Sequence, residues 1–456
     1  MRPLARRAAV VRHYCGVSER AGGQAAEGDV LELSVGEAAA GGWCVARPDA
    51  ESPAAGLVIF VRHALPGERV RAVITQLTTR FARADAIAVL SAAPERVTPP
   101  CPYARPGGCG GCDWQHASLP AQRAIKAGVV RAQLRRIAGI ECPVTVEAVP
   151  GDSGGLGWRT RVRFAIGRDG MAGFYRHRSH DVVPVTDCLI AHPLVTEAAV
   201  TRQQWPGGRR PGARWVEVAV APGSGERAVI VGGGPQPPGP RFLTQRAAGR
   251  DWRVAATGFW QVHPGAADAL AEAVITGLRP RAGETALDLY CGAGLFAGVL
   301  AQAVGEQGTV IGVEQDEAAV RDARHNLRPM PWARVHRGDA AEVVGRIGTR
   351  GAAVAVLDPP RSGAGPALIG ALCGAGDGRG AGAGRGAGEE RGAGAGLRRI
   401  AYVSCDPATL ARDIAEFGRR GWALDGLRAF DAFPMTHLVE CLALLTPAGG
   451  TKPRSA

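Results

Sequence analysis

Lysine is nearly absent from this chain, which has 456 residues and only two lysines, Lys126 and Lys452. Arginine therefore carries almost all of the positive charge, and the formal net charge is +12. A surplus of this size favours a polyanionic partner such as a nucleic acid, because arginines that neutralise phosphates release condensed counterions. Part of the surplus reflects a general bias of the composition towards arginine, alanine and glycine, so the charge suggests the class of partner without establishing it.

Long hydrophobic runs are missing as well. No stretch reaches the roughly 18 to 20 apolar residues that a membrane-spanning helix needs, and the start, MRPLARRAAVVRHYCG, lacks the apolar segment of a secretory signal. These absences predict a cytoplasmic protein with no membrane partner. The chain has 11 cysteines, an odd number. Without a signal peptide, that number argues against a disulfide framework and favours metal-binding or catalytic roles for cysteines that cluster.

The length of the chain predicts two or three domains, at roughly 100 to 200 residues for each. Short strand-like runs separated by Gly/Pro turns predict a small β-barrel over 27–92, after a loose tail over 1–26 that an over-called start codon would also explain. A central domain with further strand-like runs follows over 93–255. The region 256–450 alternates strands with helices, which predicts an α/β domain with a mostly parallel sheet.

A low-complexity insert of glycine, alanine and arginine interrupts this last domain over 374–396. Such a composition cannot bury a core, so we expect a flexible surface excursion there.

A glycine-rich turn, LDLYCGAGLFAG, follows a predicted strand and opens a predicted helix at 287–298. The glycines allow a sharp turn and a close approach to a ligand, and Glu314 at the end of the next strand is placed to bind ribose hydroxyls. Nicotinamide, flavin and S-adenosylmethionine sites all use such a turn, and some such turns bind nothing. Asp288 at its start favours S-adenosylmethionine, whose sulfonium is a cation.

Three motifs beyond this turn carry candidate catalytic groups. Asp358 follows a hydrophobic strand in VLDPPRSG, Cys405 ends another strand in YVSCDPATL, and Glu440 opens the last apolar strand, three residues after His437. The helix after Cys405 is expected to favour its thiolate. Each residue also has an ordinary structural alternative: a solvated turn for Asp358, a small buried side chain for Cys405 and an exposed strand position for Glu440.

A thiol, a carboxylate and a methyl donor together suit methylation of an unactivated pyrimidine carbon. C5 of uracil becomes nucleophilic once a thiolate has added to C6, and a base must then remove the C5 proton. We therefore predict covalent catalysis with Cys405 as nucleophile and Glu440 as base. A uracil within folded RNA would have to be flipped out of its stack to reach these groups.

The complete set of motifs resembles that of the S-adenosylmethionine-dependent RNA uracil-C5 methyltransferases, in particular members with an N-terminal TRAM domain and a [4Fe-4S] cluster. The motifs that carry the resemblance are HALPGE, CPYARPGGCGGCDWQHAS, TDCLIAHP, FWQVHP, DLYCGAG, LDPPRSG, VSCDPATLARD and THLVE. The resemblance implies a Rossmann-like class I methyltransferase domain of the α/β class, an N-terminal OB-like β-barrel and a middle β-rich region that bears the cluster.

The resemblance also assigns roles to individual residues. It implies that Cys405 is the nucleophile and Glu440 the base, and that the cofactor site is lined by Gln261, Tyr290, Glu314, Asp339 and Asp358. The cluster ligands would be Cys101, Cys109, Cys112 and Cys188. Four thiolates suit an iron–sulfur cluster, and zinc is the chemical alternative because it too binds four cysteines. Two features depart from the family: a longer gap between the first two cysteines, and the insert at 374–396.

The implied partner is RNA, with a uridine of 23S rRNA as the first choice and tRNA as the second, and we expect a monomer. Two functions of other classes compete with this one. A non-catalytic RNA-binding protein would use the barrel and the basic surface alone, although it would not need to keep Cys405 and Glu440. An iron–sulfur electron carrier would show a reversible redox cycle.

Overall fold

The structure is a computed structural model, and it describes residues 25–151, 153–199, 212–233, 236, 238–349, 351–374 and 396–449. The tail over 1–24 and the insert over 375–395 lie outside the described residues. Contacts divide the chain into two compact units. The barrel unit comprises the described residues up to Ile125, with Tyr175–Val183 and Met435–His437. The sheet unit comprises Lys126–Phe174, Pro184–Pro434 and the described residues from Leu438 onwards.

Five strands of the barrel unit close into a barrel in the order β1-β2-β3-β5-β4. In β1, Leu31, Leu33 and Val35 are buried while Glu32 and Ser34 face outwards, the alternation expected of a strand with one buried face. The small barrel predicted from short strands and turns is thus confirmed. Its strands are β1 Val30–Ala39, β2 Trp43–Ala46, β3 Val58–Arg62, β4 Arg69–Leu77 and β5 Phe81–Ser91.

The sheet unit is built on an eight-stranded sheet in the order β16-β15-β14-β17-β18-β20-β19-β6. The five neighbouring strands β16, β15, β14, β17 and β18 run parallel to one another. Strand β20 is antiparallel to β18 and β19, and β6 runs parallel to β19. The predicted α/β domain with a mostly parallel sheet is confirmed. The strands are β6 Val146–Ala148, β14 Thr285–Leu289, β15 Thr309–Glu314, β16 Ala333–Arg337, β17 Ala352–Leu357, β18 Arg399–Ser404, β19 Trp422–Asp431 and β20 Glu440–Pro447.

Helices cover this sheet, and its central strands are buried on both faces, as in β18 from Ile400 to Val403. The α-helices of the described residues are α1 Leu119–Gln133, α2 Pro193–Ala199, α3 Ala266–Leu278, α4 Leu295–Val304, α5 Glu317–Asn326, α6 Ala340–Ile347, α7 Gly365–Leu372 and α8 Pro407–Arg419. Of these, α2 packs against β10 (Trp215–Ala221) and β11 (Glu226–Gly232) rather than against this sheet. Among the described residues, no helix combines the length and the apolar character needed to cross a bilayer.

The remaining strands of the described residues form two smaller sheets. One has five strands in the order β11-β10-β7-β8-β9, and the other is a hairpin of β12 and β13. The β-rich texture predicted for the centre of the chain is therefore present. The strands are β7 Arg161–Ile166, β8 Ala172–Tyr175, β9 Val182–Pro184, β10 Trp215–Ala221, β11 Glu226–Gly232, β12 Phe242–Ala247 and β13 Arg250–Ala255.

The first helix shows why one of the two lysines is buried. Lys126 lies on the inner face of α1 with 1% of its side chain exposed, and its Nζ donates to Asp431 Oδ1 at 2.6 Å and to the carbonyl of Phe433 at 2.9 Å. A buried ammonium is tolerated only when it is paired in this way. The pair anchors α1 to the end of β19. A π-helical turn at Leu134–Ala138 continues α1 and ends at Gly139, which adopts a left-handed conformation.

Candidate active site

Four parallel strands deliver the candidate site residues to one edge of the large sheet. Tyr290, Asp358 and Cys405 directly follow β14, β17 and β18, and Glu314 is the last residue of β15. The strand β17 lies between β14 and β18, and the backbone N–H of Asp358 donates to the carbonyl of Leu289. Because the chain order of the strands reverses here, this edge is where an open α/β sheet binds its ligand.

The glycine-rich turn is tied to the neighbouring strand by Glu314. Its Oε2 accepts a hydrogen bond from the backbone N–H of Gly292 at 2.9 Å, and its Oε1 accepts from those of Gln315 and Asp316 at 2.8 Å each. The turn itself runs through left-handed conformations, at Gly292, Gly294 and the non-glycine residue Tyr290 (φ 67°). A tyrosine in this region of φ/ψ space is strained, and such strain is concentrated at functional sites.

Asp288 adds a buried carboxyl group to this edge. Its Oδ2 accepts from the backbone N–H of Ala297 at 2.6 Å, whereas its buried Oδ1 has no hydrogen-bond partner among the described residues. Burial raises the pKa of Asp288 to about 8, and the negative charges of Asp358 and Glu314 add to the shift. A ligand with a positive charge at this edge would relieve the repulsion among the three carboxyl groups. The edge therefore fits a cationic group.

Cys405 and Glu440 meet across adjacent antiparallel strands. Ser404 pairs with Cys441, so the next step of the register sets Cys405 opposite Glu440. The thiol is partly exposed, while Glu440 is 5% exposed. Burial raises the pKa of Glu440 well above its usual range, and repulsion from Asp358 adds to this effect. The two residues proposed for catalysis are thus neighbours at the same sheet edge as the glycine-rich turn.

Arg361 is a functional candidate that the sequence analysis passed over, although it stands in the motif LDPPRSG. It hydrogen-bonds the thiol of Cys405, and its charge lowers the pKa of both Cys405 and Glu440. An arginine that follows a turn closed by two prolines is held near the end of β17, which was the signal available in the sequence. It supplies the positive charge that a thiolate would need.

The expectation that the helix after Cys405 favours its thiolate stays a prediction, because the shift of the thiol pKa that the structure shows comes from other groups. Burial raises the pKa of Cys405, Glu440 and Asp358 add to the shift, and only Arg361 opposes it. The positive end of α8 is met by the carboxylate of Asp406, which accepts from the backbone N–H of Thr409 at 2.8 Å. The helix terminus is therefore already capped by an anion.

The remaining cofactor candidates are placed less closely. Asp339 caps α6 by accepting hydrogen bonds from the backbone N–H groups of Ala341 and Glu342 at 2.9 and 3.1 Å. Burial is the main cause that raises the pKa of Tyr290 to about 12, and the negative charge of Asp339 adds to this shift. Gln261 is 9% exposed in the segment between β13 and α3. Asp339 is thus within electrostatic range of the glycine-rich turn, and the cofactor roles of Asp339 and Gln261 both stay predictions.

Three of the clustered cysteines lie in one loop of the barrel unit. Cys101, Cys109 and Cys112 are partly exposed and form no disulfide among the described residues. The loop is shaped by hydrogen bonds from the backbone N–H of Cys109 to the carbonyl of Tyr103 at 2.9 Å and from that of Gly111 to the Cys109 Sγ at 3.3 Å. Cys188, also a partly exposed thiol, belongs to the sheet unit.

Four thiols are suitable ligands for an iron–sulfur cluster or for zinc, but the structure does not bring these four together at one point. Within the part of the chain that the structure describes, no group of three or more His, Cys, Asp or Glu side chains converges to hold a metal ion. The ligand set therefore stays a prediction, and no part of the chemistry below depends on it.

His437, which precedes Glu440 by three residues, has a different environment. It belongs to the barrel unit, where its Nδ1 lies 2.6 Å from Asp113 Oδ2 and its backbone N–H donates to the same oxygen at 3.0 Å. The imidazole lowers the pKa of Asp113 against the opposing effect of burial. The two bonds to Asp113 show that His437 fixes the segment Met435–His437 to the rest of the barrel unit.

Comparisons with known proteins agree with this architecture. A family model described as a TRAM domain matches residues 24–87, and one described as a methyltransferase domain matches 280–342. An uncharacterized RNA methyltransferase of Streptomyces avermitilis is 43% identical, over 92% of this chain and 99% of its own length. Another, of Streptomyces coelicolor, is 44% identical over 92% and 93%. The chain belongs to this family of RNA methyltransferases, and it carries an N-terminal TRAM domain.

A solved structure shares the fold. The tRNA (uracil-54, C5)-methyltransferase of Pyrococcus abyssi, in complex with S-adenosyl-L-homocysteine, matches 91% of this chain and all of its own, with a TM-score of 0.65 and 21% identity. The expected class I methyltransferase fold with an N-terminal OB-like barrel is thereby confirmed.

Proposed function

We propose that the chain transfers a methyl group from S-adenosylmethionine to C5 of a uridine in RNA. The observation that carries this proposal is the pairing of β18 with β20, which sets Cys405 opposite Glu440 at the edge that also holds the glycine-rich turn. Uracil-C5 methylation is the chemistry that needs both a nucleophile for C6 and a base for C5. The fold shared with the Pyrococcus abyssi enzyme supports the same reaction class.

The cofactor suits the acidic edge of the sheet. S-adenosylmethionine supplies, when bound, a methyl group on a positively charged sulfur. We assign Tyr290, Glu314, Asp339 and Asp358, together with Gln261, to its site. The carboxylates of Glu314, Asp339 and Asp358 bind, orient and neutralise a cation without the pyrophosphate cradle of a dinucleotide site.

The reaction then divides between two side chains. The thiol of Cys405 loses its proton, and the hydrogen bond from Arg361 stabilises the resulting thiolate. The sulfur bonds to C6 of the uracil, and the electrons of the C5–C6 bond move into the enolate, so that C5 takes the methyl group. The carboxylate of Glu440 removes the C5 proton, and the returning electrons break the C6–sulfur bond. Cys405 is released as a thiolate, and the net products would be 5-methyluridine, S-adenosyl-L-homocysteine and a proton.

The test is methyl transfer from labelled S-adenosylmethionine to RNA from cells that lack this gene. Wild-type protein is expected to form 5-methyluridine, and Cys405→Ala is expected to form none. Cys373→Ala removes another partly exposed thiol, at the end of α7, and should leave the activity unchanged. RNA containing 5-fluorouridine should trap a covalent adduct, since fluorine cannot leave as a proton. Full activity of Cys405→Ala would exclude covalent catalysis by this residue.

We propose 23S rRNA as the target, with tRNA as the alternative that the Pyrococcus abyssi enzyme's substrate supports. Mapping 5-methyluridine in both RNAs from cells with and without the gene separates the two. Loss of the modification from 23S rRNA alone supports the first choice, whereas loss from tRNA alone selects the alternative.

We also propose that Cys101, Cys109, Cys112 and Cys188 bind a [4Fe-4S] cluster with a structural role, because the reaction transfers no electrons. Two observations support it: all four side chains are partly exposed thiols, and the Cys109 Sγ accepts a backbone hydrogen bond of the kind common around cluster sulfurs. Anaerobically purified protein should absorb broadly in the visible range. Stoichiometric zinc without that absorption would replace the cluster by a zinc site.

A further inference from the structure

A cavity of about 740 Å³ opens in the sheet unit, and its described lining does not include the glycine-rich turn. Strands β11, β12 and β13 form its walls together with the segment after β13 and one side of α5. The volume lies within the range of pockets that hold small ligands. Its lining includes Arg241, Arg253, Arg321, Asp322 and Phe242, and most of the other lining residues are small or apolar.

Three arginines against one carboxylate give this cavity a positive charge. Asp322 is already satisfied, since it accepts from the backbone N–H of Ala255 at 2.6 Å and from Arg253 at 3.2 Å. Arg241 is exposed and forms no ion pair with any residue that the structure describes. Arg321 pairs with Glu317 at 2.6 Å, but both side chains are more than half exposed, and such a pair contributes little. Two guanidinium groups can therefore turn to an anion.

Phe242 gives the cavity an aromatic surface for a planar ligand. The guanidinium of Arg253 stacks on its ring at 4.3 Å from the centroid, yet Phe242 remains 40% exposed. The Arg253 Nε is buried and has no hydrogen-bond partner among the described residues. An exposed ring beside arginines is the arrangement that stacks a nucleic-acid base and holds its phosphates.

The walls of the cavity are held in place from the cofactor edge. The side chain of Asn326 accepts from the backbone N–H of Arg253 and donates to its carbonyl, both at 2.9 Å, which docks β13 on α5. The same helix begins beyond Asp316, whose backbone N–H donates to Glu314. One wall of the cavity, α5, therefore begins just after the carboxyl end of β15. A strand of RNA with one nucleotide at the active edge could place another nucleotide in the cavity.

We propose that this cavity binds a nucleotide of the RNA substrate other than the uridine that is methylated. Its base stacks on the open face of Phe242, and Arg241 and Arg321 contact the adjoining phosphates. The inference rests on the proposed function in that RNA is the substrate, and it adds a second point of attachment that contributes to affinity and to the choice of RNA.

The test measures binding of a fluorescent single-stranded RNA to the full chain, without cofactor, over a range of salt concentrations. The double variant Arg241→Gln/Arg321→Gln should reduce the slope of log affinity against log salt by about 1.4, at ~0.7 for each phosphate that is no longer neutralised. Phe242→Ala should weaken binding roughly tenfold with the slope unchanged, because stacking is uncharged.

The matched control is Arg168→Gln/Arg346→Gln. It removes the same charge from two exposed arginines of the sheet unit that do not line the cavity, and it should keep the wild-type slope. Equal losses in the cavity and control variants would overturn the inference, because they would reflect net charge alone. Thermal melting of each variant identifies any that fails to fold.

Crosslinking provides a second measurement that does not depend on a variant. RNA containing 4-thiouridine should crosslink to residues 238–257, and crosslinks confined to other segments would count against the cavity. Methyl transfer to the same RNA is followed in parallel. If wild-type protein binds through the cavity but makes no 5-methyluridine, the proposed function fails and this inference stands. If wild-type protein makes 5-methyluridine and the cavity variants bind RNA as tightly as wild type does, this inference fails and the proposed function stands.

Discussion

Cys405 shares its surroundings with groups that resist ionisation together. Glu440 and Asp358 both have pKa values raised by burial, Glu440 also by the charge of Asp358, and the thiol beside them is shifted in the same direction. Arg361 supplies a positive charge to Cys405 and Glu440. The free protein therefore keeps its thiol protonated, and the raised pKa of Glu440 makes its carboxylate a stronger base once it forms. This combination suits a base that must remove a proton from carbon.

Replacing Glu440 by glutamine should stop the reaction after methyl transfer. A glutamine amide cannot accept the C5 proton, so the bond between Cys405 and the methylated ring persists, and turnover should fall by about 100- to 10,000-fold. On a denaturing gel, label from the methyl donor should migrate with a protein–RNA complex. Glu342→Gln, at an exposed position of α6, is the control and should turn over normally. Undiminished turnover by Glu440→Gln would remove this residue from the role of base.

Asp288 should make the stability of the ligand-free protein depend on pH. Its pKa is about 8 in the folded chain, against an ordinary value of 3.8 for the exposed side chain. Between these values the folded state binds the proton and the unfolded state does not, so the free energy of unfolding falls as pH rises, by up to about 1.4 kcal/mol per pH unit. Asp288→Asn should flatten the profile between about pH 4 and pH 8. Urea unfolding at several pH values measures this, and an unchanged profile would show that Asp288 does not titrate in this range.

The turn between β17 and α7 is held to α8 by a buried network. The hydroxyl of Tyr402 donates to Asp413 Oδ2 at 2.6 Å, and both accept from the backbone N–H of Ala364, at 3.0 and 2.8 Å. The carbonyl of Arg361 accepts from the hydroxyl of Thr409 at 3.0 Å. These bonds hold the backbone that carries Arg361, and so they position its side chain at Cys405.

Tyr402→Phe should therefore lower both stability and activity. The change leaves the N–H of Ala364 with one acceptor fewer and Asp413 with one donor fewer, which should cost about 1 to 3 kcal/mol of unfolding free energy. A displaced Arg361 should also shift the acid limb of the pH–rate profile to higher pH, because the thiol loses its compensating charge. Tyr175→Phe, at a tyrosine that is 51% exposed, should change neither property. A loss of stability with an unaltered pH profile would mean that the network does not position Arg361.

The strand ends were predictable from sequence, whereas the groups around them were not. Parallel strands end at one edge of a sheet, so Glu314, Asp358 and Cys405 could be placed together from the motifs that follow each strand. The hydrogen bond from Arg361 to Cys405 depends on how a turn docks on α8, which no local pattern encodes. The raised pKa of Cys405 was missed for the same reason, since burial and the neighbouring carboxylates that raise it come from tertiary packing.

At the scale of the whole chain, segments far apart in sequence join the same unit. Residues 175–183 group with the barrel unit, where the backbone N–H of Gly110 donates to the carbonyl of Tyr175 at 3.0 Å. The short strand β6, at 146–148, joins the sheet that otherwise begins at residue 285. Such long-range pairings follow from tertiary packing, so the domain limits predicted at 92 and 255 rest on local texture alone.

The division into two units leads to a prediction about ligand binding. Tyr290, Glu314, Asp339 and Asp358 all belong to the sheet unit. S-adenosyl-L-homocysteine at about 100 times its dissociation constant should therefore stabilise that unit by about 2.7 kcal/mol, while local opening of the barrel unit gains nothing. Hydrogen exchange with and without the ligand should show stronger protection in β14, β15 and β17 but not in β1 to β5. Equal protection of both sets would show that the two units unfold as one cooperative body.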